Sequence, residues 1–110
     1  MRGEVGILYF EIDEDKIDEL NEILKIPPEV ICYDVKAIVR TNMQGLISMM
    51  VTGKVIENYR ATLSRTRSDD MILTYIGQVV SDDRIDVYLT VDHEGETVFS
   101  DYIGYIAKKS

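Results

Sequence analysis

The stretch that decides the fold is Asn42 to Tyr59, NMQGLISMMVTGKVIENY. Leu46, Ile47, Met49, Met50, Val51, Val55 and Ile56 fill its middle, so a helix here carries apolar side chains nearly all the way round. Gln44, Ser48 and Thr52 recur every four residues, which on a 3.6-residue period gives a single narrow polar stripe. A helix of that kind has to be covered on almost every side. The pattern therefore predicts one interior helix over residues 43–57, and it asks the rest of the chain for material to wrap it.

The C-terminal half supplies that material. Residues 59–67, YRATLSRTR, alternate Tyr59, Ala61 and Leu63 with polar neighbours, then turn polar. Ser68-Asp69-Asp70 is turn chemistry. Residues 71–80, MILTYIGQVV, read as a long strand in which Gly77 marks a bulge or a close approach. After a turn at 81–84, Ile85, Val87, Leu89 and Val91 alternate with Asp86, Tyr88, Thr90 and Asp92. A loop at 92–96 with Gly95 then leads to a closing strand at 97–107.

Upstream, residues 4–12, EVGILYFEI, have the β-branched and aromatic content of one strand. Asp13 is placed to cap a helix over 14–25, with Glu14 and Asp15 at its positive end and Ile17, Leu20, Ile23 and Leu24 on its apolar face. Pro27-Pro28 stops that helix. Residues 29–41, EVICYDVKAIVRT, stay open between two readings. Ile31, Tyr33, Val35, Ala37 and Val39 alternate as a strand would, while Ile31, Val35, Ile38 and Val39 also satisfy a helical spacing.

The 110 residues make one domain, with no repeat or linker. Net charge is −8, split as −6 over residues 1–29, +4 over 30–67 and −6 over 68–110. An acidic chain with no Trp and no basic face is a poor partner for nucleic acid. The basic middle, Lys36, Arg40, Lys54, Arg60, Arg65 and Arg67, is read as balancing the acidic ends, within the fold or across a dimer. No apolar run reaches the roughly 20 residues of a bilayer span, and the N-terminal segment lacks the features of a secretion signal. One cysteine, Cys32, rules out an internal disulfide and suits a reducing compartment. The expectation is a cytoplasmic protein with no membrane partner.

Two α+β architectures accommodate this order. In the preferred one, the hot-dog arrangement, a curved antiparallel sheet wraps round a central helix. In the alternative, an elaborated ferredoxin-like sandwich, residues 30–40 and 45–52 pair as a hairpin and 54–67 form a helix. Adjacent Met49 and Met50 favour the helical choice for the centre.

Several segments resemble the MaoC-like hot-dog family, the R-specific enoyl-thioester hydratases and their relatives. FEIDEDKIDELNEI looks like the family's opening strand and acid-capped helix. YDVKAIVRTNMQGLISMM is similar to its passage from an alanine, here Ala37, to a glycine at the start of the central helix, here Gly45. LSRTRSDDMILTYIGQVV and VYLTVDHEGETVFSDYIGYI resemble its closing strands. The resemblance implies an acyl-thioester ligand on coenzyme A or a carrier protein, and a homodimer. It also exposes a departure: the hydratases' Asp and His, five residues apart, fall on Lys25 and Val30 or on Ile26 and Ile31, depending on register. Neither pair offers a general base. The implied function is thus an acyl-thioester-binding protein, a thioesterase or a non-catalytic hydratase-like subunit; the alternative is a ferredoxin-like regulatory module for a small ligand.

Candidate binding residues are Asn42, Gln44 and Gly45, where free amides at the start of the central helix could polarise a thioester carbonyl. A structural role for Asn42 as a helix cap competes with that reading. His93, the one histidine, reads as an exposed turn residue, and Asp69 and Asp70 as turn formers. Cys32 reads as a small buried hydrophobe. Metal-ligand spacings, phosphate-cradling glycine loops and nucleophile elbows are missing, so no metal and no cofactor is expected.

Overall fold

A computed structural model describes residues 2–5, 8–42 and 44–109. Among the described residues the order is β1 (Arg2–Val5), β2 (Leu8–Ile12), α1 (Glu14–Leu24), α2 (Pro28–Thr41), α3 (Leu46–Thr52), β3 (Arg60–Ser68), β4 (Met71–Ser81), β5 (Arg84–His93) and β6 (Glu96–Lys108). The strands form one sheet in the order β1-β2-β6-β5-β4-β3, antiparallel throughout. The class is α+β. No helix among the described residues is long and apolar enough to cross a membrane.

The open segment 29–41 is a helix. Pro28 sits at its first turn, where a missing N–H costs nothing. Ile31, Val35, Ile38 and Val39 are all buried, at 0, 0, 3 and 8% exposure, while Tyr33 between them is 74% exposed. Burying each of those four side chains is worth about 1.5–3 kcal/mol. Four together outweigh the β propensity of the valines and isoleucines, so the 3.6-residue period wins over the two-residue one.

With 29–41 helical, the expected single rod at 43–57 is not formed. Its helical part is α3, seven residues long, from Leu46 to Thr52. Leu46, Ile47 and Met50 are buried, but Val51 and Ile56 are 41% and 62% exposed. Gly53 takes a left-handed conformation at φ 74° and ends the helix. The all-round apolar pattern is shared between a two-turn helix and the irregular, turn-containing segment after it. The ferredoxin-like alternative fails on the same elements: residues 30–40 and 46–52 are helical, and 60–68, expected within a helix, are β3. The expected strand 4–12 also divides, into β1 and β2, which pair antiparallel with Val5 opposite Leu8.

α1 follows its sequence signals. Asp13 Oδ1 accepts from the Lys16 amide at 3.4 Å, and Lys25 closes the helix in a left-handed conformation at φ 59°. Of its expected apolar face Ile17 and Leu20 are buried, whereas Ile23 is 67% exposed. Lys16 Nζ donates to Asp101 at 2.7 Å, tying α1 to β6.

The buried residues of β4 and β5, Leu73, Tyr75, Val79, Ile85, Val87, Leu89 and Val91, share one face of the sheet and join the helices in one core. α2 is the element around which this core closes. It lies against β1 and β2 at one side of the sheet. Midway along it, Asp34 accepts from Thr66 of β3, the opposite edge strand, and from Tyr75 of β4. The contacts of α2 thus reach from β1 to β3. The other face stays open and is dressed with half-buried tyrosines: Arg60 stacks on Tyr88 at 4.6 Å and Arg84 on Tyr105 at 4.0 Å.

Two glycines admit close approaches within this packing. A Cβ on Gly77 would meet the ends of Leu46 and Leu63 at 3.0 Å, both flexible side chains. A Cβ on Gly104, at φ 150°, would meet the backbone carbonyl of Glu11, which cannot yield. Gly77→Ala is therefore expected to cost about 1 kcal/mol and Gly104→Ala about 3 kcal/mol in urea denaturation. Equal costs would contradict the difference drawn between the two contacts.

Candidate functional site

The three expected binding residues sit at the junction of α2 and α3. Asn42 caps the C-terminus of α2, its amide donating to the Ile38 carbonyl at 2.9 Å, and does not begin the next helix. Its side-chain nitrogen donates to the Leu63 carbonyl at 3.5 Å, a long contact. Gly45 takes the N-cap position of α3 with no side-chain cap. The Asn42 carboxamide occupies the space a Cβ at Gly45 would fill, so these two residues touch. Gln44 is exposed, not bonded within the core. A helix of seven residues presents only a weak dipole, so the junction is a packed turn whose groups can hydrogen-bond but cannot titrate.

A second polar group lies under β3 and β4. The Tyr75 side chain is fully buried, and its hydroxyl donates to Asp34 Oδ2 at 2.6 Å, with Thr66 Oγ1 donating to the same oxygen at 3.4 Å. Burial first, and the Asp34 carboxylate second, push the Tyr75 hydroxyl far above its ordinary ionisation range. It is a clamp joining α2 to the sheet, ill suited to give up a proton. Nearby, Cys32 is half-buried, and burial raises its thiol against the opposing pull of Lys36 one turn on. A thiol raised in this way is a weak nucleophile, in keeping with the packing role expected of Cys32.

The densest meeting of polar side chains is at the tips of two neighbouring hairpins. Asp70 lies in the β3–β4 turn, His93 is the last residue of β5, and Glu94 follows it in a left-handed conformation at φ 53°. The β4–β5 register places Met71 opposite His93, which brings Asp70 beside the imidazole. His93 Nδ1 stands 3.4 Å from Asp70 Oδ2, and Nε2 stands 3.8 Å from Glu94 Oε1. Nδ1 is shut off from solvent and makes no hydrogen bond. The Asp70 contact is thus near enough for charge but outside hydrogen-bond geometry. Beside this cluster runs an open groove of about 540 Å³, lined by Arg65 and Arg67 of β3 together with Asp70, Asp92, Glu94 and Thr97.

The sequence reads His93 as an exposed turn residue and Asp70 as a turn former. Asp70 is in the β3–β4 turn as expected, but His93 is the last residue of β5, not part of the turn, and its imidazole is only 34% exposed. The signal that finds the pair is the hairpin itself. The turn alone, with Ser81 opposite Arg84, would set Met71 opposite Glu94; the register shift between Val79 and Ser81 moves the pairing by one residue and puts Met71 opposite His93.

The Tyr75–Asp34 clamp gives stability a defined pH dependence. The folded chain keeps the Tyr75 proton at alkaline pH, where the unfolded chain releases it near the ordinary value of 10.0. Stability is therefore at its full value below about pH 10, and above it this one group removes about 1.4 kcal/mol per pH unit. Tyr75→Phe should cost about 2 kcal/mol at pH 7 and flatten that alkaline slope, measured by urea denaturation from pH 7 to 11. Parallel pH curves for the two proteins would show that Tyr75 is not held protonated.

Compared with known protein families, curated proteins and solved structures, the chain matches none of them.

Proposed function

We infer that this chain is a hot-dog-type protein that binds an acyl thioester, on coenzyme A or a carrier protein, without hydrating it. One observation carries the reading: α2 lies along β1 at one edge of the sheet while Asp34 at its middle reaches Thr66 at the other edge. A helix held between both edges of a curved antiparallel sheet is the scaffold on which the thioester reading depends. In this reading the central helix is α2, residues 28–41, and not the 43–57 segment that the sequence favours.

The residues that would have to carry hydration argue for binding without turnover. The positions that the family's Asp and His would take are Lys25 and Val30, or Ile26 and Ile31, around the α1–α2 connection. Ile26 and Ile31 are buried apolar side chains. At the α2–α3 junction the Asn42 amide is spent on the Ile38 carbonyl and its carboxamide fills the space beside Gly45, so exposed Gln44 is the group left to meet a carbonyl, and none of the three can move a proton. A non-catalytic role is therefore preferred over a thioesterase.

A hot-dog protein pairs sheet edge to sheet edge, and β3 is a nine-residue edge strand available for that purpose. Light scattering on the purified chain should report a dimer. Dodecanoyl-coenzyme A should bind saturably below millimolar concentration, with no release of free thiol. A monomer that binds no acyl thioester at millimolar concentration would remove this function, and steady thiol release would make it an enzyme.

A further inference from the structure

We propose that Asp70, His93 and Glu94 form a binding site for a divalent transition-metal ion, zinc by the chemistry of the ligands. One donor atom from each residue falls within 4.8 Å of the other two, a span that one ion can bridge. The His93 Nδ1 to Asp70 Oδ2 separation of 3.4 Å is the more telling distance. Zinc bonds of about 2.0–2.1 Å in a tetrahedral shell set neighbouring donors about 3.3–3.4 Å apart. Two donors at that spacing and not hydrogen-bonded to each other are placed to share a third body between them.

The imidazole makes the same point from its own side. Nδ1 is enclosed, within reach of a carboxylate, and makes no hydrogen bond. A buried ring nitrogen left without a partner is rare and calls for one. A metal ion satisfies it in the direction where the Asp70 oxygen fails. Glu94, beside Nε2 at 3.8 Å, has a carboxylate that is 81% exposed and free to turn towards the same ion.

The donor set also chooses among metals. One imidazole and two carboxylates suit zinc, whereas magnesium and calcium take oxygen ligands alone. Arg65 and Arg67 line the groove on the same side and offset part of its acidic charge, which weakens any diffuse attraction for cations. The attraction left over needs the imidazole. Three protein ligands leave a fourth position for water. The proposal stands apart from the acyl-thioester reading, since none of these residues belongs to the α2–α3 junction.

His93 is the one histidine of the chain, so its side-chain ¹⁵N spectrum is read without assignment. The untagged full-length protein, stripped with a chelator, is titrated with zinc chloride while that spectrum and equilibrium dialysis are followed. The expected result is saturation at one zinc per chain with a shift of a His93 ring nitrogen. Magnesium in about hundredfold excess should not displace the zinc. His93→Gln and Asp70→Asn should each weaken binding by about tenfold or more, with circular dichroism reporting that both remain folded. Absence of saturable binding, an unmoved imidazole signal, displacement by magnesium, or two variants that bind zinc as the parent does would each overturn the site.

Discussion

The fold depends on docking one amphipathic helix against the sheet. α2 presents Ile31, Val35, Ile38 and Val39 on a single stripe, and everything else is arranged to keep water from that stripe. Such burial is strong but has no direction, so on its own it would let the helix slide. The Asp34 carboxylate supplies the direction. It takes the Tyr75 hydroxyl at 2.6 Å from the middle of the sheet and the Thr66 hydroxyl from its edge, and it fixes α2 in register with both strands. That contact, with the packing of α2 on β1 and β2, holds the helix across the sheet.

The remaining elements take their places around α2. α1 is held at the side by Lys16 and Asp101, an exposed pair whose worth is small and salt-sensitive. Soon after α2 comes Gly45, the N-cap of α3, which sets Leu46 over Gly77 and fills the space between the helix layer and β4. On the sheet's open face, tyrosines and arginines stack in place of an apolar layer, and the alternation of β4 and β5 separates the two faces cleanly. The hairpin tips lie beyond the region packed by the helices. That leaves Asp70, His93 and Glu94 without any part in the core.

How much of this is legible in the sequence differs by element, for physical reasons. α1 is legible because its ends are marked chemically, by Asp13 at the start and by the prolines after Lys25. β4 and β5 are legible because one face is dry and the other wet, which forces strict alternation. Residues 29–41 are not, because their apolar positions fit both periods, and only the partner surface decides between them. Residues 42–59 mislead because apolar residues around Met49 and Met50 indicate burial without indicating a helix long enough to use it. Residues 4–12 hide two paired strands inside uniform β propensity. At the sites, Asn42 and Gly45 do meet, through the end of α2 and not through the start of a long helix. The Asp70–His93 pairing emerges only when the β4–β5 register is carried out to its far end.

The claim on which the rest stands is that residues 28–41 are a helix packed on the sheet, followed by a break and a second, short helix. Backbone Cα and Cβ chemical shifts across residues 28–52 test it most directly. The account predicts helical shifts over 28–41, non-helical shifts at 42, 44 and 45, and helical shifts again over 46–52. Extended shifts over 30–40 and 45–52, the mark of a hairpin, would contradict it.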